Sequence, residues 1–251
     1  MTSSRSQRPD TLVVIPAYNE APRIGRVLSK LPAWIASAIV VDDASTDDTP
    51  LVARASGDPR IHVLTHSKNL GVGAAILTGY RKAIALGDER EDAKDRDAIV
   101  VMAGDDQMDP RDLEALVAPI HAGSADYAKG NRFAHLEAWS SIPIQRRLGG
   151  EVFSGLTSIV AGQRFHDTQC GYTALSRGAC REVLEWNVWP GFGYPNDLLL
   201  KLAEHKKRIC EITVRPVYAD EESKLRIQHL GAIFSIIARA ALRRARESAH
   251  I

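Results

Sequence analysis

Short apolar runs rich in Val and Ile alternate along the chain with longer stretches in which apolar residues return every three or four positions. The first kind of run predicts buried strands and the second predicts helices; their alternation is the pattern of βα units that build a mostly parallel sheet. Strands are predicted over Thr11–Ile15, Ala38–Val41, Ile61–Thr65, Ala98–Met102 and Ile209–Pro216. Helices are predicted over Ala21–Lys30, Thr49–Ala55, Gly73–Leu86 and Pro110–His121, the last with Asp109 as N-cap and Pro110 as its first residue. The charged run Asp88–Asp97 reads as a solvated loop. The expected class is α/β, a mostly parallel central sheet with helices on both faces.

Two further segments carry helical spacing with basic residues beside it. In Ile144–Val160, Leu148, Val152, Leu156 and Ile159 recur near Arg146 and Arg147; Ile233–Arg246 mixes Ile233, Phe234, Ile236 and Ile237 with Arg239, Arg243, Arg244 and Arg246. Basic amphipathic helices suit an anionic bilayer surface, and the same stripes suit packing onto the domain or onto a second copy of the chain. The pattern does not separate these. No run reaches the roughly 18 apolar residues of a spanning helix. The expected organisation is a loose tail over 1–10, one domain over 11–225 and a basic amphipathic helix over 226–251.

Composition narrows the function classes. Of 251 residues, 45% are hydrophobic and 25% charged, and 32 basic residues face 31 acidic ones for a net charge of +1. That balance excludes disorder and lacks the electrostatic footprint of a nucleic-acid binder. The three cysteines, Cys170, Cys180 and Cys210, have no CxxC spacing, so no disulfide framework or zinc site is supported and a reducing cytoplasm is expected.

In open sheets of this class, ligands bind beyond the carboxyl ends of the strands. Polar residues collect there. The first strand runs into Pro16-Ala17-Tyr18-Asn19-Glu20, the second into Asp42-Asp43-Ala44-Ser45-Thr46-Asp47, and the fourth into Ala103-Gly104-Asp105-Asp106-Gln107. Asn69-Leu70-Gly71-Val72-Gly73 precedes a helix and could offer backbone N–H groups to a phosphate or serve only as a helix-entry turn. It follows the third strand, so it is not a dinucleotide fingerprint, and no P-loop sequence is present. Asp42 and Asp43 could cap the next helix or accept hydrogen bonds from ribose hydroxyls or a base imino group. If the backbone stays extended past Met102, Asp105 and Gln107 share a face and Asp106 points away. One carboxylate and one amide oxygen are enough in kind for Mg²⁺ or Mn²⁺ held mainly by a diphosphate; Asp105 and Asp106 could also make only a polar turn before Asp109.

Together with Gly130-Asn131-Arg132 and Asp167-Thr168-Gln169-Cys170-Gly171-Tyr172, these motifs resemble the nucleotide-sugar-dependent glycosyltransferases of family 2, with the GT-A fold, and within them the polyprenyl- and dolichyl-phosphate hexosyltransferases. The resemblance covers about Leu12 to Leu225. It implies a nucleotide-sugar site at Pro16, Tyr18, Asn19, Glu20, Asp42, Asp43, Asn69, Gly71, Gly73, Gly104 and Asp105, with Asp105 and Gln107 as ligands of Mg²⁺ or Mn²⁺. It places Arg132 toward a donor or acceptor phosphate, Asp167 near the sugar or acceptor, and Asp197 on a helix under the acceptor. Three departures stand against it. Ala103 occupies the first position of the usual Asp-x-Asp triplet, Tyr218 and Glu221 replace the Arg and Gly before Ser223-Lys224, and the C-terminal membrane helices of some relatives are missing.

The implied reaction is inverting transfer of a hexose from a UDP- or GDP-sugar to a polyprenyl phosphate at the cytoplasmic membrane face. A phosphate acceptor is already anionic near neutral pH and needs no strong base, whereas a hydroxyl acceptor would require Asp167 or Asp197 as general base. The alternatives are a soluble glycosyltransferase acting on a saccharide or small metabolite, and a nucleotide-sugar-binding protein without catalysis.

Overall fold

A computed structural model of the chain describes residues 9–136, 144–217 and 227–248. Its centre is a seven-stranded sheet of β1 (Thr11–Ala17), β2 (Ser37–Asp42), β3 (Ile61–Thr65), β4 (Ala98–Val101), β5 (Tyr127–Asn131), β6 (Thr173–Ser176) and β7 (Ile209–Thr213), in the order β3-β2-β1-β4-β6-β5-β7. All neighbours are parallel except β6, which runs antiparallel to β4 and β5. The continuous apolar run of β1 is buried at every position because helices cover both faces.

On one face lie α1 (Ala21–Ser29), α2 (Thr49–Arg54) and α4 (Leu113–His121), packed around Val13, Ile15, Val40 and Val100. On the other lie α3 (Val72–Asp88), α6 (Arg177–Glu185) and α7 (Tyr194–Glu204), around Val14, Ile39, Ile99 and Tyr80. Asp109 caps as expected, its side chain accepting from Arg111 N–H at 2.9 Å, but Pro110–Asp112 make a 3₁₀ turn and α4 proper begins at Leu113.

β5 and β6 carry no apolar run, reading Tyr-Ala-Lys-Gly-Asn and Thr-Ala-Leu-Ser, and hydrophobic patterning passes over them. The charged run 88–97 is only partly solvated. Asp97 is buried, accepting from the N–H groups of Asp10 and Lys94 at 2.9 Å, and Asp88 pairs with Arg177 and Arg181.

The two amphipathic segments form α5 (Ile144–Ala161) and α8 (Ile227–Ser248). Ile233, Ile236, Ile237 and Ala240 of α8 bury against Leu200 of α7 and against Phe153, Leu156 and Val160 of α5, so most of the apolar stripe packs onto the domain. Its arginines bind protein as well: Arg239 sits over the Trp189 ring at 5.3 Å, Arg243 pairs with Glu204 at 2.9 Å, and Arg244 donates to the Val160 carbonyl. Val152, Ile159, Phe234 and Leu242 remain exposed. Among the described residues, no helix is long and apolar enough to cross a membrane.

Candidate active site

The loops after β1, β2 and β4 interlock before they present anything to a ligand. Asn19, at φ +54°, accepts from Thr46 N–H at 2.9 Å and donates its own N–H to Ser45 Oγ at 2.9 Å. Glu20 is buried, with its N–H on Thr49 Oγ1 at 2.7 Å and its carboxylate on Arg23 at 3.0 Å. Pro16 is buried and its carbonyl accepts from Gly104 N–H at 3.1 Å, which ties the loop after β4 to the end of β1. Tyr18 and Asn69 are exposed.

Asp42 and Asp43 have different surroundings. Asp43 is a clamp: Oδ1 meets His66 Nδ1 at 2.7 Å and accepts from Leu70 N–H at 2.9 Å, and Oδ2 accepts from Gly71 N–H at 2.7 Å. Asp42 is fully buried, with Ser45 N–H at 3.4 Å from Oδ1 and no hydrogen-bond partner for Oδ2 among the described residues. A buried carboxylate oxygen without a donor is costly, and a ligand offering N–H or O–H groups would relieve that cost.

The glycine-rich stretch is packed against protein. Ala74 N–H at the start of α3 donates to the Pro190 carbonyl at 3.0 Å, and a Cβ on Gly73 would stand 2.5 Å from the Trp189 carbonyl oxygen. Gly71, at φ +94°, likewise faces the Pro190 carbonyl. The N–H groups of Leu70, Gly71 and Ala74 all donate within the protein. Gly73→Ala is expected to cost about 1–3 kcal/mol of stability, read by urea denaturation, because the contact is with backbone that cannot rotate away.

Beyond β4 the backbone does not stay extended. Asp106 takes φ +62° and turns toward α1, where Lys30 Nζ meets its two oxygens at 2.8 and 2.9 Å and Arg26 lies at 3.6 Å. Asp105 Oδ1 accepts from Gln107 N–H at 3.2 Å. Asp105 and Gln107 therefore line one cleft through this turn and not through strand parity, together with Met108, Arg132, Tyr172 and Arg215. A single carboxylate with an amide oxygen fits a hard divalent cation whose remaining ligands are phosphate oxygens and water. Among the described residues, no group of three His, Cys, Asp or Glu side chains could hold a metal by itself.

Arg132, just past β5, is fixed by Asp167. Its Nε and backbone N–H donate to Oδ2 at 2.7 and 3.1 Å, and Nη2 donates to Oδ1 at 2.9 Å. Asp167 is fully buried. Burial alone would raise its pKa, but the charge and hydrogen bonds of Arg132, with the charge of Lys129, hold it below its ordinary value of 3.8. Both oxygens are thus ionised acceptors for one guanidinium, which suits positioning and not proton abstraction.

Two members of this cluster escape motif reading. Lys129 is fully buried in β5 with Nζ 2.5 Å from the Cys170 carbonyl, and its pKa is lowered chiefly by burial. Glu211, its register partner on β7, accepts from His166 N–H at 2.9 Å and Asp167 N–H at 3.2 Å and meets His166 Nδ1 at 2.6 Å. No sequence pattern marks the pair, because it is the β5–β7 register that sets Lys129 opposite Glu211. Asp197 is not among the residues lining the cleft; its Oδ2 accepts from Trp189 N–H at 2.8 Å and lies 3.4 Å from Lys201.

A mostly parallel sheet with one antiparallel strand, and an acidic turn and a fixed arginine beyond its carboxyl ends, defines a GT-A glycosyltransferase fold. Residues 12–184 match the model of glycosyl transferase family 2, and the chain belongs to that family. It is 26% identical to the UDP-N-acetylglucosamine–dolichyl-phosphate N-acetylglucosaminyltransferase of Methanococcus voltae over 83% of this chain and 86% of that protein. It is 29% identical to the undecaprenyl-phosphate mannosyltransferase of Micrococcus luteus over 81% of this chain and 82% of that one. The solved structure of glucosyl-3-phosphoglycerate synthase from Mycobacterium tuberculosis, with Mn²⁺, UDP and phosphoglyceric acid, is similar at TM-score 0.66 and 20% identity, over 94% of this chain and 78% of that chain.

Proposed function

We propose that this protein transfers a hexose, with inversion, from a UDP- or GDP-sugar to a polyprenyl phosphate at the cytoplasmic face of a membrane. The observation that carries the reading is the cleft itself, where Asp105 and Gln107 face Arg132 and Arg215. Such a set suits a metal-bound diphosphate on one side and a second phosphate on the other. The relatives named for dolichyl and undecaprenyl phosphate support the same acceptor class.

Each residue has a task in this reading. Asp42 accepts from the base or ribose, Asp105 and Gln107 hold Mg²⁺ or Mn²⁺, and Arg132, held by Asp167, meets a phosphate. The cation, when bound, neutralises charge on the departing diphosphate. The acceptor oxygen is ionised near neutral pH, since the second pKa of a phosphate monoester is about 6. A base is then unnecessary, which agrees with Asp167 being committed to Arg132 and Asp197 to Trp189 and Lys201. The same commitments weigh against a hydroxyl acceptor that would need either as general base. Among the described residues of α5 and α8, Val152, Ile159, Phe234 and Leu242 are the large apolar side chains left exposed to meet a lipid surface, the rest of the α8 stripe being packed onto the domain.

Incubation with labelled UDP- and GDP-sugars, Mg²⁺ or Mn²⁺ and polyprenyl phosphate is expected to give a solvent-extractable glycolipid. Product only on water-soluble acceptors would sink the lipid part. Asp105→Asn keeps an oxygen but removes the charge, so the Mn²⁺ concentration for half-maximal rate should rise about tenfold. An unchanged metal dependence would remove Asp105 from the cation site.

A further inference from the structure

Arg215 follows β7 as Arg132 follows β5, and these strands are parallel neighbours with Asn131 opposite Thr213. Both arginines line the cleft. Their surroundings differ in a way that bears on ligands. Arg132 has its own fully buried counter-ion in Asp167. Arg215 is anchored through its backbone, whose N–H donates to Asp112 Oδ2 at 2.7 Å. Of the five N–H groups on its guanidinium, Nη1 alone has a partner among the described residues, Asp109 Oδ2 at 3.2 Å. That carboxylate is shared, since Arg111 already binds it through Nε at 3.0 and 2.9 Å and Nη2 at 2.6 Å. Hydrogen bonds from Arg111, with a smaller contribution from Arg215, pull Asp109 down to about 2 against the effect of burial. Arg215 therefore keeps most of its fork, 39% exposed at the cleft rim, for another anion.

Strand order says which anion. Along the sheet, the buried Asp42 ends β2, Asp105 and Gln107 follow β4, Arg132 follows β5, and Arg215 follows the edge strand β7. Arg215 thus lies at the far end of the rim from the nucleoside position, past the diphosphate position. Building on the hexosyl-transfer reading above, the geometry points to Arg215 as the residue that recognises the phosphomonoester of the acceptor, carried on an isoprenoid or on a small soluble molecule. A planar guanidinium can bind two phosphate oxygens at once, whereas a lysine offers a point charge. Substitution leaves the fold intact, because Asp112 holds the backbone N–H and Arg111 still neutralises Asp109.

The test is calorimetric, on the full chain with UDP and Mn²⁺ present, using farnesyl phosphate and phosphoglyceric acid as probes and farnesol and glyceric acid as their phosphate-free counterparts. At least one phosphorylated probe should bind the wild type, and which one distinguishes a lipid source from a soluble one. Arg215→Gln should weaken that probe about 10- to 100-fold, the range of a charge-assisted hydrogen bond. Arg215→Lys should weaken it less, with UDP affinity and the phosphate-free compounds unaffected. Equal losses for UDP and probe would move Arg215 to the donor and overturn the inference, as would undiminished probe binding in Arg215→Gln or no binding of either probe to the wild type. If the wild type binds a phosphorylated probe through Arg215 but turns over no nucleotide sugar, the transfer reading fails while the phosphate site stands.

Discussion

Asp167→Asn is expected to lower the stability of the protein by about 3–5 kcal/mol, the cost of breaking a buried ion pair by removing one partner. The side chain keeps its shape, so the loss is one of charge. Lys129, fully buried, would keep the attraction of Glu211 but lose that of Asp167, and the Arg132 fork would close on a neutral amide. Urea denaturation should show a lower midpoint with an unchanged slope. The pH dependence has a definite sign. Because the folded pKa of Asp167 lies below its ordinary value of 3.8, its contribution is complete at neutral pH and fades as acid carries the protein below that value. The gap between wild type and variant should therefore be full near pH 7 and narrow in acid. A variant with the wild-type midpoint at neutral pH would show that the fork adds nothing. If the variant is assayed where it remains folded, its turnover should also fall, since Arg132 is no longer held toward the cleft.

The parts of the fold legible in the sequence are those that hydrophobic patterning governs. β1, β2 and β4 are buried on both faces and read as apolar runs, and their carboxyl-terminal loops mark the rim. β5 and β6 were illegible because their stability comes from pairing between other strands and from Lys129 bonding to Cys170, neither of which leaves a run of Val and Ile. At the site, residue types were legible but their division of labour was not. Adjacent Asp42 and Asp43 look alike in sequence, yet only the loop at Leu70 and Gly71, folded back onto β2, shows that Asp43 is occupied. The left-handed turn at Asp106, with Lys30 at the C-terminal end of α1 holding it, depends on a contact 76 positions away that no local pattern encodes. Arg215 was hidden for the same reason, since the anions beside it, Asp109 and Asp112, belong to a distant segment.

That division gives Asp42→Asn effects of opposite sign on free and liganded protein. In the free protein, the substitution removes a buried charge whose Oδ2 has no hydrogen-bond partner among the described residues. The expected change is a small gain in stability, about 1 kcal/mol, from the smaller desolvation cost of an amide. In the liganded protein, a charged acceptor for base or ribose is lost, and nucleotide affinity should fall up to about 100-fold. Thermal or urea unfolding with and without nucleotide reads both quantities. At a nucleotide concentration of about 100 times the wild-type Kd, ligand adds about 2.7 kcal/mol to the wild type; a 100-fold weaker variant at the same concentration gains only about 0.4 kcal/mol. A purely structural carboxylate would behave the other way, with lower stability in the free variant and an undiminished response to nucleotide. Asp43→Asn is the internal control, because its oxygens are engaged by Leu70, Gly71 and His66 and its loss should register first as instability. The two neighbouring aspartates thus separate experimentally, one by ligand response and the other by stability.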